Sequence, residues 1–319
     1  MDIPPRLFSR GVVWRDDLAR LSTIRAHGIT DAAVHRAIAR GAAWRPAPGV
    51  LAAGPPPARA AERHLLRTTA HLLKRPGHCA TATSALVLHG LPVLGDDEPV
   101  HLGAPHHRDR RRAMGPVVLH RHQEEPEVVT PPGCTSPWPV THLTRALVRH
   151  AMEPGRHLPW AVVPWDAALH AGMVTRTEIA AELTTGLKGV GTARAALALV
   201  DPACESPGET LTRVPLVLAG LRPRSQVVLR TRRGEFRVDL LLEDEGVIVE
   251  FDGVVKYGSA GGREALVLEK DREDALRELG YTVVRVRWHD VVSEQGRKQL
   301  VQRVRQAATG PWRSGRLPG

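Results

Sequence analysis

The chain is poor in cysteine: Cys79, Cys134 and Cys204 are its three, widely separated, odd in number and in no C-x-x-C spacing. That pattern argues against a disulfide framework and against a zinc finger, and fits a reducing compartment. Also missing is any uninterrupted apolar run of about eighteen residues, the length needed to cross a bilayer. The amino-terminal segment carries no apolar core of the kind that marks a secretory signal. A soluble, cytoplasmic protein without a membrane partner is therefore expected. His106 and His107 stand beside the basic run Arg108–Arg112 with no cysteine nearby, and read as a basic loop rather than a metal site.

At 319 residues the chain has room for two or three domains, each burying its own core. The formal charge is +10, which favours a polyanionic partner, and its distribution is uneven. Residues 1–75 hold 13 Lys/Arg against 5 Asp/Glu, residues 76–200 balance at 11 against 11, and residues 201–319 hold 20 against 18. A general preference for arginine would have spread the excess. The amino-terminal quarter is accordingly read as a nucleic-acid anchor, and double-stranded DNA as the expected partner.

That quarter also has a suggestive order. Leu18, Leu21 and Ile24 recur every three residues and predict a helix over Trp14–His27, broken at Gly28. Thr30 is placed to cap a second helix over Asp31–Arg40, with Asp31 at its positive end. Val34, Ala37 and Ile38 give this helix an apolar face and leave His35, Arg36 and Arg40 pointing outward. An extended, Pro- and Gly-punctuated stretch over Ala42–Ala53 follows and carries Arg45. Two helices around a tight turn plus an extended wing is the helix-turn-helix arrangement, with a small helical cap as the plainer alternative. Pro55–Pro57 reads as a linker. Beyond it, a mixed α/β pattern runs to about Ala203 with helices over Ala60–Leu73, Thr83–His89, Leu143–Met152, Trp160–Ala171 and Arg176–Leu187, and no catalytic constellation stands out.

Residues 204–319 carry the chemistry. A helix starting at Ser206-Pro-Gly-Glu209 is followed by strands over Gln226–Thr231, Glu235–Glu243 and Val247–Asp252. A charged helix over Arg263–Leu279, a strand over Tyr281–Trp288 and a last helix over Val291–Ala308 complete an α-β-β-β-α-β-α order. Asp239 lies inside an apolar strand, and Glu250 and Asp252, two apart, share one face of the next. Carboxylates are costly in a sheet unless a cation or donor offsets them. A hard divalent ion is the usual offset for converging acids, so Asp239, Glu250 and Asp252 are candidate ligands for Mg²⁺ or Mn²⁺. Two plainer readings stand beside this: Glu209 closing a capping box with Ser206, and Asp239 paired with Arg237 at a sheet edge.

The motifs Ser206-Pro-Gly-Glu209, Arg237-Val-Asp239, Val249-Glu250-Phe-Asp252-Gly253, Glu269-Lys-Asp271-Arg272 and Gly280-Tyr-Thr-Val-Val-Arg285, in that order, resemble the very-short-patch-repair-like endonuclease domains of actinobacterial proteins, within the restriction-endonuclease fold and its PD-(D/E)xK core. The preceding part is similar to the companion region of the same proteins, an AbiEi-antitoxin-like winged helix and a middle region typified by Thr83-Ser-Ala-Leu-Val-Leu-His-Gly90. The resemblance implies an α/β protein of three parts: a winged-helix domain (1–57), a mixed middle domain (58–203) and an endonuclease-like domain (204–319). It implies Asp239 and Glu250 as metal-binding acids and Glu209 as the acid of the first helix. The family signature ends in Lys where this chain has Asp252, so the missing cation must come from elsewhere, with Lys270 or Arg272 favoured over Lys256. A metal-dependent DNA endonuclease is thus the leading expectation, and a DNA-binding regulator with an inert nuclease fold the alternative. A homodimer is left open, since cutting both strands generally takes two active sites.

Overall fold

A computed structural model describes residues 15–95, 99–105, 111–121, 124–184, 187–253 and 262–308, with the side chains of 111, 112 and 262–269 left aside. The His106–Arg112 loop, apart from the backbone of 111 and 112, and Lys256 fall outside the described residues, as does the expected helix start at Trp14. The protein is of mixed α/β class and divides into two compact units, one of Met1–Arg156 with Arg176–Ala193, the other of His157–Thr175 with Arg194–Gly319. The division expected from the sequence at residues 57 and 203 differs from this. The amino-terminal region shares its unit with most of the middle, while the helix Leu158–His170 goes with the carboxy-terminal part. Among the described residues no helix is long and apolar enough to cross a membrane.

In the first unit, strands β1 (Leu18–Arg20), β2 (Ala43–Ala47) and β3 (Val50–Ala53) form an antiparallel sheet in the order β1-β3-β2. Helices Leu21–Ala26 and Asp31–Ala39 close over it through Ala19, Ile24, Val34, Ala37 and Leu51. Thr30 caps the second helix by accepting a hydrogen bond from the Ala33 amide (3.3 Å), as its sequence predicts. The first helix is shorter than the periodicity suggests. Asp16 and Asp17 turn the backbone into positive φ (48° and 62°), and the Asp16 carboxylate accepts from the amides of Thr135 (2.7 Å) and Ser136 (3.0 Å) and from Trp138 Nε1 (2.8 Å). Leu18 is consequently held in a strand, not on a helix face. On the other side of the sheet, the helix Ala60–Lys74 packs Ala70, Leu66 and Leu73 against Leu18, Val50 and Ala52, so no independent core ends at Pro57.

The rest of this unit is built on a six-stranded mixed sheet of β4 (Cys79–Ala80), β5 (Val100–Ala104), β6 (Arg111–Met114), β7 (Val117–Arg121), β8 (Glu127–Val129) and β9 (Trp138–Val140), ordered β6-β7-β5-β4-β9-β8. Strands β5 and β7 run parallel. Helices Ala82–Leu88 and Leu143–Ala151 contribute Leu86, Leu88, Ala146 and Leu147 to the core. The expected helix over Arg176–Leu187 ends at Ala181.

In the second unit, β10 (Arg224–Thr231), β11 (Gly234–Leu242), β12 (Val247–Phe251) and β13 (Thr282–Val286) form one sheet in that order. The first three are joined as antiparallel hairpins and β13 adds parallel to β12. Gly246, at φ +65°, supplies the left-handed residue of the second turn. The helix Gly262–Glu278 connects β12 to β13, and helices Trp288–Val292 and Glu294–Ala308 follow where a single helix over Val291–Ala308 was expected. Ser293, with extended dihedrals, separates them.

A buried ion pair ties the helix Leu158–His170 to the helix Pro207–Leu218. Asp166 Oδ2 accepts from Arg213 (2.9 Å) and from Thr210 Oγ1 (2.8 Å), and its Oδ1 from the Asp201 amide (2.8 Å). Burial pushes the Asp166 carboxyl up to about 6 in spite of the Arg213 charge and these hydrogen bonds, which leaves it ionised at neutral pH. Removing one partner of such a pair strands the other without its counter-charge. Asp166→Ala is expected to cost about 3–5 kcal/mol, measured as a lowered urea midpoint for the unit that contains it; an unchanged midpoint would refute the assignment.

Candidate active site

Three strands place the acids of the second unit side by side. Val227 pairs with Val238 and Leu240 with Val249, so the same registers set Gln226 across from Asp239 on one side and Glu250 across from it on the other. Asp239 sits in an interior strand of the sheet. The edge reading and the pairing with Arg237 therefore do not hold: Arg237 makes a two-point ion pair with Glu205 instead (2.7 and 2.9 Å).

Each carboxylate is held by specific donors. Asp239 Oδ2 accepts from the Phe251 amide (2.8 Å). Glu250, 7% exposed, is met by the Arg272 guanidinium at both oxygens, at 3.3 Å on Oε2 and more closely on Oε1, while Arg272 also donates to the Arg237 carbonyl (3.0 Å). Burial raises the proton affinity of Asp239, and the nearby Glu209 charge adds to this; the Phe251 amide, Arg272 and Gln226 pull the other way. Burial likewise raises Glu250 and Asp239 reinforces it, against Arg272 and Arg285. Two neighbouring carboxylates with raised proton affinity at the end of a sheet mark a candidate functional site. Their all-oxygen donor set suits a hard divalent cation.

Glu209 belongs to this corner of the unit through the helix Pro207–Leu218. Ser206 Oγ donates to its Oε1 (2.7 Å) and accepts from its amide (3.2 Å), while the Glu205 amide (2.9 Å) and Gln226 Nε2 (2.9 Å) donate to its Oε2. Both oxygens are thus engaged in the cap. The helix approaches the sheet closely because residue 208 is glycine: a Cβ there would lie 2.0 Å from the Phe251 ring.

The other expected residues are placed differently. Asp252 lies one residue beyond β12, with its amide bonded to the Val286 carbonyl (2.7 Å) and its side chain exposed. Among the described residues, Asp239, Glu250 and Asp252 do not gather as a three-ligand group within 4.8 Å. Of the two candidate cations on the helix Gly262–Glu278, Arg272 reaches Glu250 and Lys270 is exposed. In the first unit His35, Arg36, Arg40 and Arg45 are all exposed, while Val34 of the same helix is buried. Arg25, unremarked in the sequence, locks the two helices there through a two-point pair with Asp31 (2.8 and 3.0 Å).

Gln226 is the site residue that sequence reasoning missed. It has φ +54° inside β10, a conformation that costs a non-glycine residue of order 1–3 kcal/mol. From it the side-chain amide donates to Glu209 (2.9 Å) and lies near enough to Asp239 to favour its ionised form. A glutamine in a strand carries no local pattern that would announce this.

No family model matches the chain. Uncharacterised proteins from two strains of Mycobacterium tuberculosis are 32% identical to it over 153 residues, which is 46% of this chain and 55% of each relative. The chain therefore spans about half the length of the curated relatives it matches.

The raised Glu250 carboxyl fixes the sign of a pH effect. A group whose proton affinity is higher in the folded state contributes stability that is present below its unfolded pKa, near 4.3, and lost as pH rises through the higher folded value. In metal-free protein, Glu250→Gln should therefore remove part of the fall in melting temperature as the pH rises above about 4. Parallel melting profiles for the variant and wild type across that range would show that Glu250 does not carry the shift.

Proposed function

We propose that the protein is a DNA-binding, metal-dependent endonuclease, with a winged-helix-like anchor in the first unit and a restriction-endonuclease-like centre in the second. The observation that carries the reading is the apposition of Asp239 and Glu250 on adjacent strands, both buried enough to bind protons abnormally tightly. The strand order and the resemblance of the surrounding motifs agree with it. Asp239 and Glu250 would hold Mg²⁺ or Mn²⁺, which when bound polarises a phosphodiester and lowers the pKa of an attacking water. The Phe251 amide fixes the orientation of Asp239, and Gln226 fixes that of Glu209. Arg272 takes the role of the absent signature Lys, placing a preorganised positive charge beside the acids.

The exposed basic groups His35, Arg36, Arg40 and Arg45 would face duplex DNA. Bonds from such side chains to phosphates position a protein on the duplex without reading its sequence. A pocket in the same unit is lined by Arg20, Leu21, Ser22, Arg25, Gly49 and Lys74, three of them basic.

A second reading has its own support. Arg272 is already engaged with Glu250, both oxygens of Glu209 are used by the helix cap, and Asp252 stands where a catalytic lysine would be. These favour a DNA-binding regulator whose nuclease fold is inert.

Supercoiled plasmid incubated with wild-type protein and Mg²⁺ or Mn²⁺ should be nicked or linearised. Asp239→Asn and Glu250→Gln should abolish this, and Arg272→Ala should reduce it about a hundredfold or more with DNA affinity retained. Absence of cleavage with either ion on any duplex tested would leave the regulatory reading standing. Independently, a double Arg36→Ala, Arg40→Ala variant should bind duplex DNA more weakly. Its salt-dependence slope should be shallower by about 0.9 for each phosphate that the protein no longer neutralises. Unaltered affinity and slope in a folded variant would remove this helix from the interface.

A further inference from the structure

The first unit contains a second concentration of metal-binding chemistry that shares no residue with the acidic centre. His101 on β5 and His120 on β7 come from parallel neighbouring strands. Their registers pair His101 with Val118 and His120 with Gly103, so both histidines occupy the same face, and the strand position opposite His120 has no side chain to crowd the ring. Their imidazoles stack at 5.1 Å between centroids with planes 24° apart. Glu153 follows the helix Leu143–Ala151 and is held over the pair by its amide bond to the His150 carbonyl (3.3 Å) and by the Arg156 amide on its own carbonyl (3.0 Å).

Three potential ligand atoms converge. His101 Nδ1 and His120 Nε2 are 2.9 Å apart, and Glu153 Oε1 lies 3.7 Å from the first and 3.6 Å from the second. A tetrahedral ion with bonds of ~2.0–2.2 Å separates its donors by roughly 3.3–3.6 Å, so small adjustments of these side chains would admit one. Among the described residues this is the one group of three or more His, Cys, Asp or Glu ligand atoms lying within 4.8 Å of one another. A simple hydrogen bond between the two histidines accounts for less. It leaves unexplained why Glu153 Oε1 stands almost equidistant from both nitrogens.

We propose that His101, His120 and Glu153 form a transition-metal site, with Zn²⁺ as its preferred ion. Two imidazoles and one carboxylate are a borderline nitrogen–oxygen donor set that suits Zn²⁺ and its neighbours, whereas Mg²⁺ prefers oxygen alone. Three protein donors leave a fourth position for water or another ligand. The surroundings fix the donors in place. Ser84 Oγ accepts from the His101 backbone amide (2.9 Å) and hydrogen-bonds His64 Nε2 (2.9 Å), and Thr83 Oγ1 bonds His150 Nδ1 (2.9 Å) on the helix that leads to Glu153.

The test uses full-length, tag-free protein stripped with a chelator, reloaded with Zn²⁺ and dialysed. One tightly held Zn²⁺ per chain is expected, with two imidazole nitrogens in its X-ray absorption spectrum. Glu250→Gln should retain this ion, which separates the site from the acidic centre. His120→Gln and Glu153→Gln should each lose at least about a hundredfold in Zn²⁺ affinity, more than the roughly 10–100-fold of an outer-shell change. Should His120→Gln fail to fold, Glu153→Gln and the wild-type spectrum still decide. No retained Zn²⁺, a spectrum without imidazole, loss of the ion in Glu250→Gln, or undiminished affinity in a folded His120→Gln or Glu153→Gln would each overturn the proposal.

Discussion

The buried pair of Asp166 and Arg213 is the constraint on which the carboxy-terminal unit depends. Arg213 lies one turn beyond Glu209 on the same helix, so the pair that anchors Arg213 also sets the rotation and height of the turn presenting Glu209. The anchoring is distributed. The guanidinium also donates to the Leu199 carbonyl (2.6 Å) and to Cys204 Sγ (3.2 Å), and Asp201, whose amide serves Asp166, accepts from Ser225 on β10 (2.7 Å). Replacing such a network with apolar groups can be neutral for stability, so what these bonds define is the position of the helix against the Leu158–His170 helix and β10.

Orientation matters because the acidic centre is assembled from pieces far apart in sequence. The helix supplies Glu209, the edge strand Gln226, the interior strands Asp239 and Glu250, and the following helix Arg272. Gly208 against the Phe251 ring brings the first piece close to the third, and the Phe251 amide is also the donor to Asp239. One residue therefore receives the helix through its side chain and holds a carboxylate through its backbone.

Much of this was legible in the sequence, and the reasons differ by residue. Asp239 and Glu250 stood out because a charge inside an apolar strand is expensive, a rule that holds without knowledge of the partner. The second helix of the first unit was legible from Thr30 and Asp31 at its start, because capping is local. What could not be read depended on distant neighbours. Asp16 delays the start of the first helix through Thr135, Ser136 and Trp138, more than a hundred residues away. The placing of the helix Leu158–His170 with the carboxy-terminal unit was hidden because the contacts that hold it there, such as that of Asp166 with Arg213, join residues 47 positions apart. Asp252 carried the right alternation for Glu250's face, but β12 ends one residue before it. The histidine cluster gave no signal, since His101, His120 and Glu153 follow no recognised ligand spacing and meet only through parallel strand pairing and a helix turn.

The backbone conformation of Gln226 has a consequence for how copies of the chain meet one another. Strand β10 lies at the edge of its sheet, and a regular exposed edge is a template onto which another molecule can add a strand. At Gln226 the regular strand conformation is interrupted, with Ser225 and Val227 still in register on either side. Val228 beyond it is exposed, as are the charged side chains of Arg224 before it and Arg230 after it. A left-handed residue and two exposed arginines along this edge break the regular row of partners that an incoming strand would need for edge-to-edge pairing.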